Sequence, residues 1–256
     1  MVAPGFLQNP EVRQWLGGVE PAWTVLDFAS YVVLRQEPLP GNEAIRIIPD
    51  LTEADLAGSA VTRTARKLLQ RAVDGGGLKL TATGNEPDVL PIHIVRLLLQ
   101  ETKLVRKRRD KLLLTRLGNK LLAPEQCGAL QALLFHIALW RLNLGYFDRN
   151  PIESWPQNDI GVVLWSLSAS ANDWMPPDKL TRLCTVPRVG LLESAWDVGT
   201  YAMETRILRP LVWFGLLESR REDEARLGSL RFYRKLPLFD RFLEFHVKTE
   251  PMATRH

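Results

Sequence analysis

The sequence predicts a mainly α-helical protein, with three short strands in its N-terminal half and a helical bundle in its C-terminal half. Three observations carry this expectation. Apolar residues recur at helical spacing over most of the chain, Pro and Gly mark most ends of these runs, and alternation is confined to stretches of four or five residues. The 256 residues are 46% hydrophobic and 24% charged. That is enough apolar material for a packed core, and it excludes disordered and low-complexity classes.

Residues 1–60 read as an N-terminal arm with one helix, over 22–35, punctuated by Pro21, Pro38, Pro40, Gly41 and Pro49. Thr52 and Asp55 have the spacing of an N-cap and its N3 partner, so a helix start is expected there. Residues 61–124 form the next unit. A helix over 61–72 places Val61, Ala65, Leu68, Leu69 and Ala72 on one face and ends at Asp74-Gly75-Gly76-Gly77. A strand over 78–81 follows, then a loop containing Gly84-Asn85 and Pro87. Pro91 opens a second helix, 92–102. Residues 104–107 and 111–115 read as strands turning at Arg108-Arg109-Asp110, and 116–122 as a short helix stopped before Pro124. Gly84-Asn85 and Gly118-Asn119 read as turns. They belong to Leu-Thr…Gly-Asn strings repeated at an offset of 34 residues.

Residues 125–256 are expected to be mainly helical: 125–147, 159–170 capped by Asn158 or Asp159, 177–186, 190–218 as one long helix or as two divided at Pro210, and a last short helix begun by 237–245. The tryptophans fall mostly on apolar helices, where core packing is expected in preference to a ligand box.

Over 61–122 the order is helix, strand, short turn, helix, strand, wing, strand. That is a winged-helix layout, with 78–81 completing a three-stranded sheet. A looser copy, in which Leu211–Glu218 leads to the basic stretch 230–236, suggests a second, degenerate wing in the helical bundle. The string from Leu97-Leu98-Leu99 through Leu104-Val105-Arg106-Lys107-Arg108-Arg109-Asp110 to Leu112-Leu113-Leu114-Thr115 and Gly118 resembles the end of bacterial winged-helix regulators. A wider stretch resembles an uncharacterised bacterial family with relatives beside plasmid- and insertion-element-associated open reading frames. It runs from Ile48-Pro49-Asp50-Leu51 through Gly77 to Asn85, and on to Arg209-Pro210-Leu211 and Pro237-Leu238-Phe239-Asp240. The resemblance implies a fold and a neighbourhood, with no activity to transfer. One departure stands out: only Glu86 to Leu90, interrupted by Pro87, is left for the second helix that braces a recognition helix.

The net charge of +4 hides a strong polarity. Residues 1–60 carry 3 basic and 8 acidic residues, residues 61–125 carry 14 and 6, and the remainder 16 and 15. A clustered basic segment attracts polyanions in a salt-dependent way. Arg106, Lys107, Arg108, Arg109 and Lys111 lie in the expected wing, where they would contact phosphates or simply keep the hairpin soluble. On helix 92–102, His93, Arg96, Gln100 and Lys103 share one face and are the candidate base-reading residues.

Catalysis finds no support in the residue pattern. Cys127 and Cys184 match no metal or redox spacing, and their use as two free thiols fits a reducing cytoplasm. His93, His136, His246 and His256 have no ligand spacing, and His136 sits in an apolar run as a core histidine. Asp148, Arg149 and Asn150 follow a long helix and read as caps and ion-pair partners. No apolar run reaches the roughly 18–20 residues of a membrane span, and no secretory signal is expected. The expectation is a cytoplasmic, non-enzymatic protein without cofactor or metal, whose partner is DNA or, alternatively, another protein.

Overall fold

The computed structural model describes residues 45–79, 90–109, 111–148, 155–185, 198–223 and 230–245. The helix expected over 22–35, residues 86–89 of the short second helix and the Gly84-Asn85 turn lie outside them. The described chain is mainly helical, with a few short antiparallel strand pairs.

β1 (Ile45–Ile47) pairs antiparallel with β7 (Leu243–Phe245). Thr52 and Asp55 close their reciprocal hydrogen bonds, since Asp55 Oδ2 accepts from Thr52 N (2.9 Å) and Asp55 N donates to Thr52 Oγ1 (3.3 Å). The segment they open stays a series of turns and not the expected helix. The next helix, α1 (Ala60–Asp74), starts at once, with Ser59 as its N-cap.

α1 is followed by β2 (Leu78–Lys79), α2 (Leu90–Glu101), β3 (Val105–Arg108), β4 (Lys111–Leu114) and α3 (Arg116–Leu121). The three strands form one antiparallel sheet in the order β2-β4-β3. Gly118-Asn119 is helical within α3 and not a turn. Gly118 is needed for close approach, because a Cβ there would collide with the Leu104 carbonyl oxygen.

All ten residues of α4 (Cys127–His136) are buried, so the apolar stripe expected over 125–147 is in effect a fully enclosed helix. Residues 49–51 cross it at Gly128, where a Cβ would strike Leu51 N at 2.9 Å. The helix loosens into a π-turn (Ile137–Arg141) and stops at Leu142. Gln157 Nε2 donates to the freed carbonyls of Leu139 (3.0 Å) and Leu142 (2.6 Å), while its Oε1 accepts from Leu144 N (3.0 Å). One buried amide thus serves the end of one helix and the start of the next turn.

The C-terminal half contains α5 (Ile160–Ser170), α6 (Pro177–Cys184), α7 (Val198–Met203), a π-turn (Glu204–Leu208), α8 (Arg209–Trp213), β5 (Leu217–Arg221), β6 (Arg231–Lys235) and α9 (Pro237–Phe242). Of the two alternatives, one helix or two divided at Pro210, residues 198–213 take the first, running as helix without a break at Pro210. Pro210 follows the π-turn and sits in the first turn of α8, where its missing N–H costs little. The long 190–218 helix expected from sequence gives way to strand at Leu217. Likewise, the run from Pro237 turns into β7 after Phe242.

This half repeats the plan of the first. Met175 makes an isolated bridge to Tyr233 in β6, as Leu78 of β2 pairs with Leu112 in β4. The helix preceding each hairpin ends on a residue with positive φ, Lys103 (56°) and Gly215 (75°). Thr115 N donates to Leu104 O (3.0 Å), and Leu236 N donates to Leu216 O (2.9 Å). Each hairpin then runs into a six-residue helix, α3 or α9.

A single core cluster joins the two halves. Phe135 of α4 makes edge contacts with Phe214 (5.2 Å) and Phe242 (5.0 Å). Gln131 lies across the seam. Its Oε1 accepts from Ser59 Oγ (2.8 Å) and from Thr62 Oγ1 in the first unit, and its Nε2 donates to Phe214 O (2.9 Å) in the second.

Candidate nucleic-acid interface

The first hairpin is held at its base and free at its tip. Val105 and Leu112 are buried, and Thr115 Oγ1 donates to Lys103 O (2.9 Å). Because side chains alternate along a strand, Val105, Lys107 and Leu112 share one face and Arg106, Arg108 and Lys111 the other. Both faces become wet towards the turn, so Arg106, Lys107, Arg108, Arg109 and Lys111 are all exposed. Arg109 holds the turn with φ 53°. Among the described residues none of the ion pairs or hydrogen bonds involves these five side chains. Asp110, which sits between them in sequence, lies outside the described residues.

The helix face expected to read bases is less open. Arg96 and Gln100 are half-buried on α2, and Gln100 Nε2 donates to Arg96 O (3.3 Å). Lys103 is exposed at the helix end, and the His93 side chain lies outside the described residues. The opposite face of α2 is buried through Ile94, Val95, Leu98 and Leu99. Arg116 and Lys120, exposed on α3 just after the hairpin, extend the basic surface. They were not singled out from sequence, although they belong to the same basic segment.

The second hairpin engages most of its charges internally, with Arg221 at the end of β5 exposed. Arg234 donates to Glu218 Oε1 (Nε, 2.7 Å), and Lys235 Nζ donates to Asp240 Oδ1 (2.8 Å) and Ser168 O (2.8 Å). The guanidinium groups of Arg220 and Arg234 lie 4.5 and 4.8 Å from the Trp174 ring centroid. Glu204 accepts from Tyr233 Oη (2.8 Å) and from Arg209 (Nη2, 3.1 Å), and burial together with that carboxylate pushes the Tyr233 phenol above its usual range. In the π-turn Glu204–Leu208, Arg206 is fully buried. It bonds Asp148 through Nε (2.6 Å) and Nη2 (3.1 Å), and Trp155 O through Nη1 (2.6 Å). Asp148 is therefore the ion-pair partner the sequence suggested. Gly145 leaves room for the guanidinium, since a Cβ there would lie 2.9 Å from Arg206 Cζ.

Both cysteines are free and buried, and burial raises both thiols, Cys184 to about 12. His136 is buried and stacked on Trp140 at 5.8 Å, and burial lowers its pKa to about 4. Among the described residues no group of three His, Cys, Asp or Glu side chains could hold a metal ion. Among the same residues no helix is long and apolar enough to cross a membrane.

A family model described as the Y4jL N-terminal domain matches residues 84–127. That span takes in α2, the first hairpin and α3. No curated protein and no solved structure matches the chain.

Proposed function

We propose that the protein is a non-enzymatic nucleic-acid-binding protein that grips the duplex backbone with its first hairpin, used as the wing of a winged-helix-like unit. The observation that carries this reading is the concentration of Lys103, Arg106, Lys107, Arg108, Arg109 and Lys111 within nine residues, all exposed. Cations clustered on an exposed hairpin attract backbone phosphates and gain affinity by releasing counterions. The helix–strand order around the hairpin and the strand order β2-β4-β3 support the winged-helix-like reading. Half-burial of Arg96 and Gln100 favours backbone grip over base reading, so weak sequence preference is expected. The sequence resemblance points to a cytoplasmic bacterial regulator or an accessory protein of a mobile element.

The test is duplex-DNA binding measured against salt, comparing wild type with a variant in which Arg106, Lys107, Arg108 and Arg109 are all changed to Gln. Neutralising four contacts should lower the slope of log affinity against log salt by roughly 3–4. Undetectable binding at low salt, or an identical slope in the variant, rejects the reading and leaves the hairpin as a protein-interaction surface.

A further inference from the structure

A cleft of about 690 Å³ lies between α1, the turn at 53–57 and the segment 122–127. Leu56 and Cys127, both buried, form its floor, and Ala57, Leu122 and Pro124, exposed or half-buried, line its walls. On α1, Arg63, Arg66 and Gln70 run along the cleft at helical spacing. Val73 continues their row and is 45% exposed, which is high for a large apolar side chain. The guanidinium groups of Arg63 and Arg66 are held by Ala57 O (2.6 Å) and Glu53 Oε1 (2.6 Å), so they act as fixed walls. Lys67 and Arg71, at i and i+4 on the adjoining rim, are exposed, and their side chains have no ion pair or hydrogen bond among the described residues.

The chain itself supplies a segment of matching chemistry. Residues 22–35 hold only two charged side chains, Asp27 and Arg35. At helical spacing Val25, Leu26, Ala29, Val32 and Val33 fall at i, i+1, i+4, i+7 and i+8, which makes one apolar face that water disfavours unless it is covered. The lengths agree, since Val25 to Val32 rise roughly 10 Å along a helix, as do Arg63 to Gln70 along α1. The connection also reaches. Glu53 on the cleft wall follows Ile45 by eight residues and is therefore within about 29 Å of it, and residues 36–44 span roughly 30 Å when extended. Residues 1–44 carry five acidic and two basic side chains, a net negative charge that the Lys67 and Arg71 rim attracts. The residues after Phe245 contain no comparable apolar face.

We infer that residues 22–35 fold back on their own chain as a helix and fill this cleft, with Val25, Ala29 and Val32 against Ala57, Leu122 and Pro124. The mode is that of an amphipathic helix in a groove, supplied in cis. The cleft contains none of the hairpin residues, so the outcome of the duplex-binding test does not bear on this inference.

The test is photo-crosslinking of the full chain, with benzoylphenylalanine placed at Glu125, exposed beside Pro124 on the rim, or, as a control, at Lys179, exposed on α6. Irradiation at micromolar concentration should join position 125 to a peptide within 22–35 of the same chain, and position 179 should not capture it. Val25→Asp with Val32→Asp should cut that product at least ~10-fold, because docking would bury two unpaired carboxylates. The same variant should raise anilinonaphthalene sulfonate fluorescence by leaving the cleft open. Lys67→Glu with Arg71→Glu should cut the product about 2–3-fold, an effect lost at high salt. Circular dichroism identifies a variant that fails to fold, and the unsubstituted run with its position-179 control then carries the test. The inference is overturned if position 125 captures nothing from 22–35, if the product is a dimer, so that a second copy is the occupant, if position 179 captures the run equally, or if the Asp variant is captured undiminished.

Discussion

The two hairpins share a topology and differ in how their charges are used. In the first, a two-residue turn joins four-residue strands, and the cations point to solvent with no partner among the described residues. In the second, nine residues separate five-residue strands, and Arg234, Lys235 and Arg231 face Glu218, Asp240 and Glu204. The same architecture therefore supports two roles. Where carboxylates and Trp174 lie under a basic strand, the cations knit the fold. Where they do not, the cations remain available to an outside polyanion. Basic composition alone does not separate these cases; the neighbours do.

The comparison can be broken or sharpened experimentally, beginning with the largest effect. Asp148→Ala should destabilise the protein by about 3–5 kcal/mol in urea unfolding, because it strands the buried charge of Arg206 in the second half. A cost near zero would mean that the second unit does not depend on its internal ion pairs.

Gln131→Leu tests whether the two units are one cooperative body. It removes the acceptor of Ser59 and Thr62 and the donor to Phe214 O, so a loss of about 2–4 kcal/mol is expected. Two separate unfolding transitions would show that this seam is what couples them.

Acid provides a test common to both units, since His136 lies in the helix they share. Its pKa of about 4 in the folded protein is below the ordinary value of 6.5, so folding favours the neutral ring. The stabilisation is complete above pH 6.5 and is lost as pH falls towards 4, by about 3 kcal/mol in total. A His136→Leu variant should lack this component, and an unchanged acid profile would count against it.

The smallest effects come from the hairpins' own positions. Arg220→Gln with Arg221→Gln should reduce duplex affinity less than ~3-fold at moderate salt, far below the effect of neutralising residues 106–109. An equal effect would erase the division between the hairpins. At the matching helix ends, Lys103→Gly should be neutral or stabilising by up to about 1 kcal/mol, whereas Gly215→Ala should destabilise by about 1 kcal/mol or more. Gly215 has a second reason to resist change, because a Cβ there would lie 3.0 Å from Ser59 N.

Much of the first unit was legible in the sequence because its signals are local. Alternation in 104–115, the three glycines after Asp74 and the Leu-Thr…Gly string fixed the strands, the break and the helix start. The second unit was harder to read. Its first strand is a single residue, Met175, which no periodicity can reveal. The long connection between β5 and β6 hides the pairing of Glu218 with Arg234 across sixteen positions. Strand pairing also accounts for the misreading at the C-terminal end, where Leu243 to Phe245 become strand by meeting Ile45 to Ile47. The candidate wing cations were visible from charge alone. The half-burial of Arg96 and Gln100 was not, since helical spacing places a residue on a face without telling what covers that face.

The pairing of β1 with β7 has a mechanical consequence. Ile45 stands opposite Phe245 and Ile47 opposite Leu243, so the two ends of the described chain leave from the same edge of a two-stranded ribbon. Tension applied between residues 45 and 245 would load its hydrogen bonds one after another, as a zipper is opened, and not all together in shear.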